Sequence, residues 1–158
     1  MNLNGVWKAI RARALADTGA GGLFETSNNL VKAFINHRLR PQGTSIAVTT
    51  VYPYVVYSVV AAVEDDTFEK DSVRMMVAFS VFDEIRNGVD RCEKVIDRIY
   101  GDAMAQATRL PTFGYHRHPL VIDAPWAATA MSRRESRQAE HKNVNQFIEM
   151  YEFWTYYI

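Results

Sequence analysis

The chain is poor in cysteine and carries no net charge, and both shortages limit what it can do. Cys92 is the only cysteine among 158 residues, so neither an intramolecular disulfide nor a zinc site built from several cysteines can form. Eighteen Lys and Arg residues balance eighteen Asp and Glu residues. The sequence therefore lacks the basic surplus that is typical of duplex-binding proteins, and electrically neutral proteins tend to associate.

Long hydrophobic runs are also absent. No stretch approaches the roughly 20 apolar residues of a membrane-spanning helix, and the longest candidate, residues 48–63, is interrupted by Pro53. The first residues carry no charged segment before an apolar one, so no secretory signal is expected. With 48% hydrophobic and 23% charged residues, the composition is globular. We expect one soluble domain over residues 1–158, made in a reducing cytoplasm and without a membrane partner.

Hydrophobic spacing predicts the elements of the first half. Apolar residues three and four apart predict an amphipathic helix over about residues 3–16, ended by the glycine-rich segment 19–22. A second, short helix is expected over residues 30–35. Runs of β-branched and aromatic residues predict strands over residues 54–60 and 73–81, and the short polar interval between them favours an antiparallel hairpin.

The second half changes period. Residues 89–100 show a helical stripe on which Cys92 lies, so a buried and inert thiol is expected there. Residues 113–122 are interpreted as a strand, residues 125–146 as a polar, irregular excursion, and residues 147–158 as a last strand. Together these elements predict an α+β fold with a mainly antiparallel sheet and helices packed on one face.

Two histidines suggest a metal site, but weakly. On a strand, His116 and His118 would project to the same side, and Asp123 could supply a third ligand. One such pair fixes only two ligands, so the pattern is more typical of an ordinary strand end than of a metal-dependent enzyme. No catalytic motif occurs elsewhere, and we expect no catalytic residue, no metal and no cofactor.

Opposite charges mark two candidate contact surfaces. The acidic candidates, at the tip of the predicted hairpin, are Glu64, Asp65, Asp66 and Glu69. The basic candidates, in the polar excursion, are Arg133, Arg134, Arg137 and Lys142. Charge runs usually mark solvated faces. The aromatic surplus at the end of the chain is nevertheless typical of protein interfaces, and complementary charges can fix the register of such a contact.

The central strands carry a resemblance to a known family. The run Pro53-Tyr54-Val55-Val56-Tyr57, followed by an acidic hairpin and by residues 73–83 (VRMMVAFSVFD) before a helix, resembles the tail terminator (tail-completion) proteins of long-tailed bacteriophages. In that family a "PYVVY"-like strand and a "VRVQFSIFD"-like strand precede a helix. Residues 149–154 look like the last strand of the family. The order of elements agrees over about residues 1–12 and 52–158, whereas residues 23–51 are longer than the family pattern.

The resemblance implies a structural role and a set of partners. It implies a small subunit that assembles into a ring, typically a hexamer, on the last ring of tail-tube protein, where it stops tube polymerisation. The ring would offer a docking face to head-completion (connector) proteins, and genomic DNA would pass through its lumen without sequence-specific binding. The resemblance places the protein in the tail or neck of the virion, and in the host cytoplasm during assembly.

Three alternatives remain open at this point. The first is another neck component, such as a head–tail adaptor or stopper. The second is a metal-dependent enzyme that uses His116, His118 and Asp123. The third is a nucleic-acid-binding module built on the arginines of the polar excursion, because a local basic cluster can contact phosphates even when the net charge is zero.

Overall fold

The secondary structure was obtained from a computed structural model, which describes residues 3–19, 21–26, 29–36, 52–64, 72–101, 114–116 and 118–158. Within these residues the chain forms two α-helices, six strands and a 3-10 turn at Ile85–Asn87. The helices are α1 (Leu3–Ala16) and α2 (Asp90–Tyr100). The strands are β1 (Ala33–Asn36), β2 (Tyr54–Glu64), β3 (Ser72–Glu84), β4 (Trp126–Ala128), β5 (Ser132–His141) and β6 (Val144–Tyr157).

The strands form a single mixed sheet in the order β1-β2-β3-β6-β4, and β5 pairs with β6 beside β4. The β1–β2 pair is parallel, and the other pairs are antiparallel. The sheet is curled into a half-barrel, as the right-handed twist of long strands favours. This mixed, mostly antiparallel sheet with two helices is consistent with the predicted α+β fold, and the two predicted central strands are antiparallel neighbours, as expected.

Side-chain alternation places the core on one face of the sheet. On β3, Met75, Val77, Phe79 and Val81 are fully buried, as a strand of period two requires when one face is covered. The buried stripes of α1 and α2 join the same core cluster, so both helices pack on this face. The α2 residues Cys92 and Ile96 are both buried, in agreement with the helical stripe predicted over residues 89–100.

The short helix predicted over residues 30–35 is wrong. The residues from Ala33 to Asn36 form β1, which pairs in parallel with residues 54–57 of β2. Phe34 and Asn36 are buried while their neighbours are half-buried, which is a period of two. A four-residue apolar run carries too little periodicity to separate a helix from a strand, and pairing with a neighbouring strand decides between them. Ser27 and Asn28, which precede this segment and are residue types that can cap a helix, lie outside the described residues.

The strand predicted over residues 113–122 is also wrong. The described residues of this segment, 114–116 and 118–122, form turns and irregular backbone. Gly114 has a positive φ of 117°, and Pro119 lacks the N–H group that a strand ladder needs. The segment is instead fixed by single hydrogen bonds, among them Tyr115 N–H to the Ile99 carbonyl at 3.0 Å.

The prediction of an irregular excursion over residues 125–146 is wrong in the opposite sense. It contains β4, β5 and the start of β6. A two-residue turn at Lys142 and Asn143 joins β5 to β6, since His141 pairs with Val144. Asn143 takes the left-handed conformation with φ of 64°, which asparagine tolerates better than most residues. The polar sequence of β5 gave no indication of a strand, because a strand that is exposed on both faces has no hydrophobic alternation.

A buried ion pair joins the two helices. Asp17, just after α1, accepts bonds from Arg98 of α2, with Nε–Oδ2 at 2.8 Å and Nη2–Oδ1 at 2.5 Å. Its Oδ2 also accepts the Leu23 N–H at 2.8 Å. The Asp17 side chain is fully buried and that of Arg98 is 9% exposed. The pair therefore fixes the end of α1, the following loop and α2 against one another.

Gly114 occupies a position that no other residue fits. A Cβ atom there would lie 2.7 Å from Gly101 Cα and 3.2 Å from the Tyr100 carbonyl oxygen, and φ is +117°. We expect Gly114→Ala to lower the unfolding free energy by at least about 1–3 kcal/mol, the cost of such backbone strain. The control is Gly5→Ala in α1, where no atom lies within 4 Å of the new Cβ; it should be neutral or stabilise by up to about 1 kcal/mol. Urea denaturation measures both, and equal effects would contradict this account.

Within the described parts of the chain, neither helix combines the length and the apolar character that crossing a bilayer would require.

Candidate interaction surface

The feature of the sheet that stands out is β5. It is a ten-residue edge strand, and from Arg133 to Gln138 every residue is exposed. Among the described residues β5 pairs only with β6. A long edge strand that is exposed on both faces presents unpaired N–H and C=O groups, which can pair with a strand of another chain. β5 is therefore a candidate interaction surface.

The predicted basic residues lie on β5, but they are not an isolated basic patch. Arg133 Nη1 lies 3.6 Å from Glu149 Oε2, Arg134 Nη2 lies 3.0 Å from Glu152 Oε1, and Arg137 Nε lies 3.6 Å from Glu135 Oε1. Two of these three carboxylates come from β6. Lys142 lies apart from the arginines, in the turn between β5 and β6. The surface is one of alternating charge, which favours a specific partner over a generic polyanion.

Arg133 connects β5 to the core side of the sheet. Its guanidinium lies over the ring of Tyr100 at 4.3 Å from the centroid, and Tyr100 is the last residue of α2. The same ring stacks on His116 at 4.6 Å. The ion pair with Glu149 and the cation–π contact with Tyr100 together hold this end of β5 against the helix.

Glu149 is the partner of Arg133 and is buried, with 1% exposure. Ser136 of β5 donates a hydrogen bond of 2.5 Å to Glu149 Oε1. Burial raises the pKa of Glu149 above its ordinary value, and the Ser136 hydrogen bond and the charge of Arg133 only partly oppose this rise. The result is a titratable group inside the β5–β6 pair.

Of the predicted acidic surface, the structure describes only the backbone of Glu64. Glu64 ends β2 and pairs with Val73 of β3, while Asp65, Asp66 and Glu69 lie outside the described residues. Because β3 and β6 separate β2 from β5, the backbone of Glu64 lies about three strand spacings from β5, or roughly 14 Å.

The histidine pair is placed differently from its prediction. His116 and His118 are not on a strand, and His116 Nδ1 lies 3.0 Å from the Met131 carbonyl oxygen. The His118 carbonyl accepts a hydrogen bond from Arg13, and Asp123 is exposed. In the part of the chain that the structure describes, no three His, Cys, Asp or Glu side chains are grouped closely enough to hold a metal ion.

Two further features carry no chemistry. Cys92 is buried, and burial raises the pKa of its thiol to about 12, so the reactive thiolate is not formed near neutral pH. A cavity of about 440 Å³ lies where β3 ends and β6 begins, and its lining residues are Tyr52, Glu84, Ile85, Arg86, Asn143 and Val144. These residues include no nucleophile paired with a base.

The sequence analysis missed Glu149 and Tyr100 as parts of this surface. The sequence contained a signal for Glu149: it alternates with the apolar residues Tyr151 and Phe153, which lie on the core face of β6, and it is the charged residue among the three. The same alternation does not reveal the residues that contact Glu149. They depend on β5, which the sequence pattern did not reveal as a strand.

No family model matches the sequence, and no curated protein matches it. A solved chain from the virion of a native gene transfer agent particle shares the fold, with a TM-score of 0.56 and 10% identity over 98% of this chain and 96% of that one. A second solved structure aligns over 96% of both chains with 14% identity and a TM-score of 0.46, which is too low to carry an argument. The first match shows that this fold occurs in a chain of a virion particle.

Proposed function

We propose that this protein is a structural component of a phage-like virion, and specifically a tail terminator. It would form a homo-oligomeric ring, typically a hexamer, that caps the tail-tube protein and presents a joining surface to the head-completion (connector) proteins. Genomic DNA would pass through the lumen without sequence-specific binding. The subunit would act in the tail or neck of the virion after assembly in the host cytoplasm, without catalysis.

The observation that carries the proposal is the fold shared, over nearly the whole of both chains, with a protein of a gene transfer agent virion. The order of elements agrees with the tail-terminator resemblance in the sequence. Fold alone does not fix function, so the argument also needs a surface that is suited to assembly.

The exposed β5 edge supplies that surface. A closed ring needs two different patches on each subunit, because a head-to-tail contact is heterologous. β5 would be one of these patches, and the acidic candidates that follow β2 would be the other. Because β3 and β6 lie between β2 and β5, a patch that follows β2 would face a different neighbour from the one that β5 contacts.

Charge reversal on β5 tests the proposal. Arg134 and Arg137 are 52% and 60% exposed, and exposed pairs contribute at most about 1 kcal/mol each, so the subunit should stay folded after Arg134→Glu with Arg137→Glu. Arg133 is left intact because it contacts the buried Glu149. We expect a smaller particle mass by light scattering, overgrown tail tubes or failed head attachment by electron microscopy, and a milder defect at high salt.

The matched control is Arg86→Glu, which reverses an arginine that is 80% exposed and paired with Glu84, away from β5. It should leave ring mass and tube length at wild-type values. If the double reversal also leaves both unchanged, β5 is not the assembly surface. Rings that form while tubes end normally and only head attachment fails would favour another neck component, an adaptor or stopper, over a terminator.

A further inference from the structure

Glu149 is a buried carboxyl group whose cover is supplied by β5. Oε1 accepts the hydrogen bond from Ser136, whereas Oε2 accepts no hydrogen bond from any described residue. The positive charge near Oε2 is that of Arg133, at 3.6 Å and with a side chain that is 38% exposed. Burial of an ionised carboxylate with only one hydrogen bond is costly.

The cover is held by its pairing with β6 and, at one end, by the contacts of Arg133. Ser136 and Arg133 both belong to β5, which is exposed on both faces and pairs, among the described residues, only with β6. Strands of this kind open locally at low cost, because few buried contacts are lost. Separation of β5 from β6 would expose Glu149 to water while the core on β3 and α2 stays intact.

The groups around Glu149 come from three elements. β5 supplies Ser136 and Arg133, and β6 supplies Tyr151, whose buried hydroxyl makes no hydrogen bond with the described residues. From α2, Tyr100 holds the Arg133 guanidinium, and the charge of Asp97 adds to the rise in the pKa of Glu149. The net effect of these neighbours and of burial is a raised pKa when β5 is in place.

The pKa of Glu149 differs between the closed and the open state of β5, so a proton on Glu149 favours one of the two states. With β5 open, Glu149 is solvated and its pKa returns towards the ordinary value of about 4.3. The closed state therefore binds the proton more tightly, and its extra stability is complete below the open-state pKa and lost as the pH rises through the closed-state pKa. Each unit of difference between the two pKa values changes the opening equilibrium tenfold.

We propose that β5 is a proton-dependent cover: it is held closed over Glu149 when this carboxyl is protonated, and it opens more readily when the carboxyl is ionised. When Glu149 is ionised, the buried charge keeps β5 ready to open and to rearrange against a second strand. That second strand would be the neighbouring subunit's in the assembly, a consequence that rests on the proposed function, whereas the proton dependence itself does not.

Hydrogen exchange of the β5 amides tests the proposal directly. After correction for intrinsic exchange rates, protection of residues 132–141 should fall as the pH rises from about 4.3 through the Glu149 titration, by tenfold for each unit of pKa difference. Glu149→Gln imitates the protonated carboxyl, so its β5 protection should be high and independent of pH. Glu152→Gln, which removes a carboxylate on the same strand that pairs with Arg134, should keep the wild-type pH dependence.

A carbon-detected NMR titration of Glu149 in the wild-type chain does not depend on whether a variant folds. A pKa in the ordinary range, or an equal pH dependence in Glu149→Gln and wild type, would overturn the proposal. The same experiment distinguishes the proton dependence of β5 from the proposed ring assembly. If light scattering shows a monomer under all conditions while the protection of β5 still follows the titration of Glu149, the proposed function fails and the proton dependence stands. If the protection of β5 changes with protein concentration but not with pH, the proton dependence fails and self-association stands.

Discussion

Arg98→Met should lower the unfolding free energy by about 3–5 kcal/mol, because it leaves the carboxylate of Asp17 buried without its cation. Asp17 is fully buried, and Arg98 supplies two of the three hydrogen bonds that it accepts from the described residues. A loss of this size is a large share of a typical stability of 5–15 kcal/mol. Urea denaturation followed by circular dichroism measures it.

The matched control is Arg86→Met. Arg86 also pairs with a carboxylate, that of Glu84, but it is 80% exposed, so its loss should cost at most about 1 kcal/mol. The double variant Asp17→Asn with Arg98→Met removes both charges and should recover part of the loss. If Arg98→Met and Arg86→Met have equal effects, the pair between α1 and α2 does not contribute as its burial implies.

Much of the fold was predictable because its central elements carry one-sided hydrophobic patterns. The α2 stripe and the β3 alternation each fix an element and its buried face without any tertiary information. β1 and β5 were not predictable in this way. β1 has only four residues and is a strand because β2 lies beside it, and β5 has no buried face at all. Their structure is decided by pairing, which the local pattern does not contain.

For the candidate surface, the sequence predicted which charged residues lie near one another along the chain, but not which residues they contact. The sequence placed Arg133, Arg134 and Arg137 near one another, and the structure puts all three on β5. It could not show that Glu149 and Glu152 lie opposite them, since these contacts span 16 and 18 residues and depend on the register of β5 against β6. The acidic surface remains a prediction, because most of it lies outside the described residues.

Phe79→Ala should cost about 3–5 kcal/mol, since it removes the centre of an aromatic cluster. Phe79 is fully buried, and its ring lies 6.2 Å from that of Phe34, 5.0 Å from that of Tyr115 and 5.5 Å from that of Tyr151. Those rings come from β1, the loop after α2, and β6. The substitution would therefore leave a cavity where three separate segments meet, and a site with several fixed walls collapses poorly around a cavity.

The same strand offers a control for this prediction. Phe82 is three residues further along β3, on the opposite face, where its ring stacks on Tyr54 at 4.9 Å and stays half-buried. Phe82→Ala should cost about 1–2 kcal/mol, because less apolar surface is removed from its contacts. Urea denaturation of the two variants compares the faces of β3 directly. A loss below about 1 kcal/mol for Phe79→Ala, or a larger loss for Phe82→Ala, would mean that the core lies on the other face of the sheet.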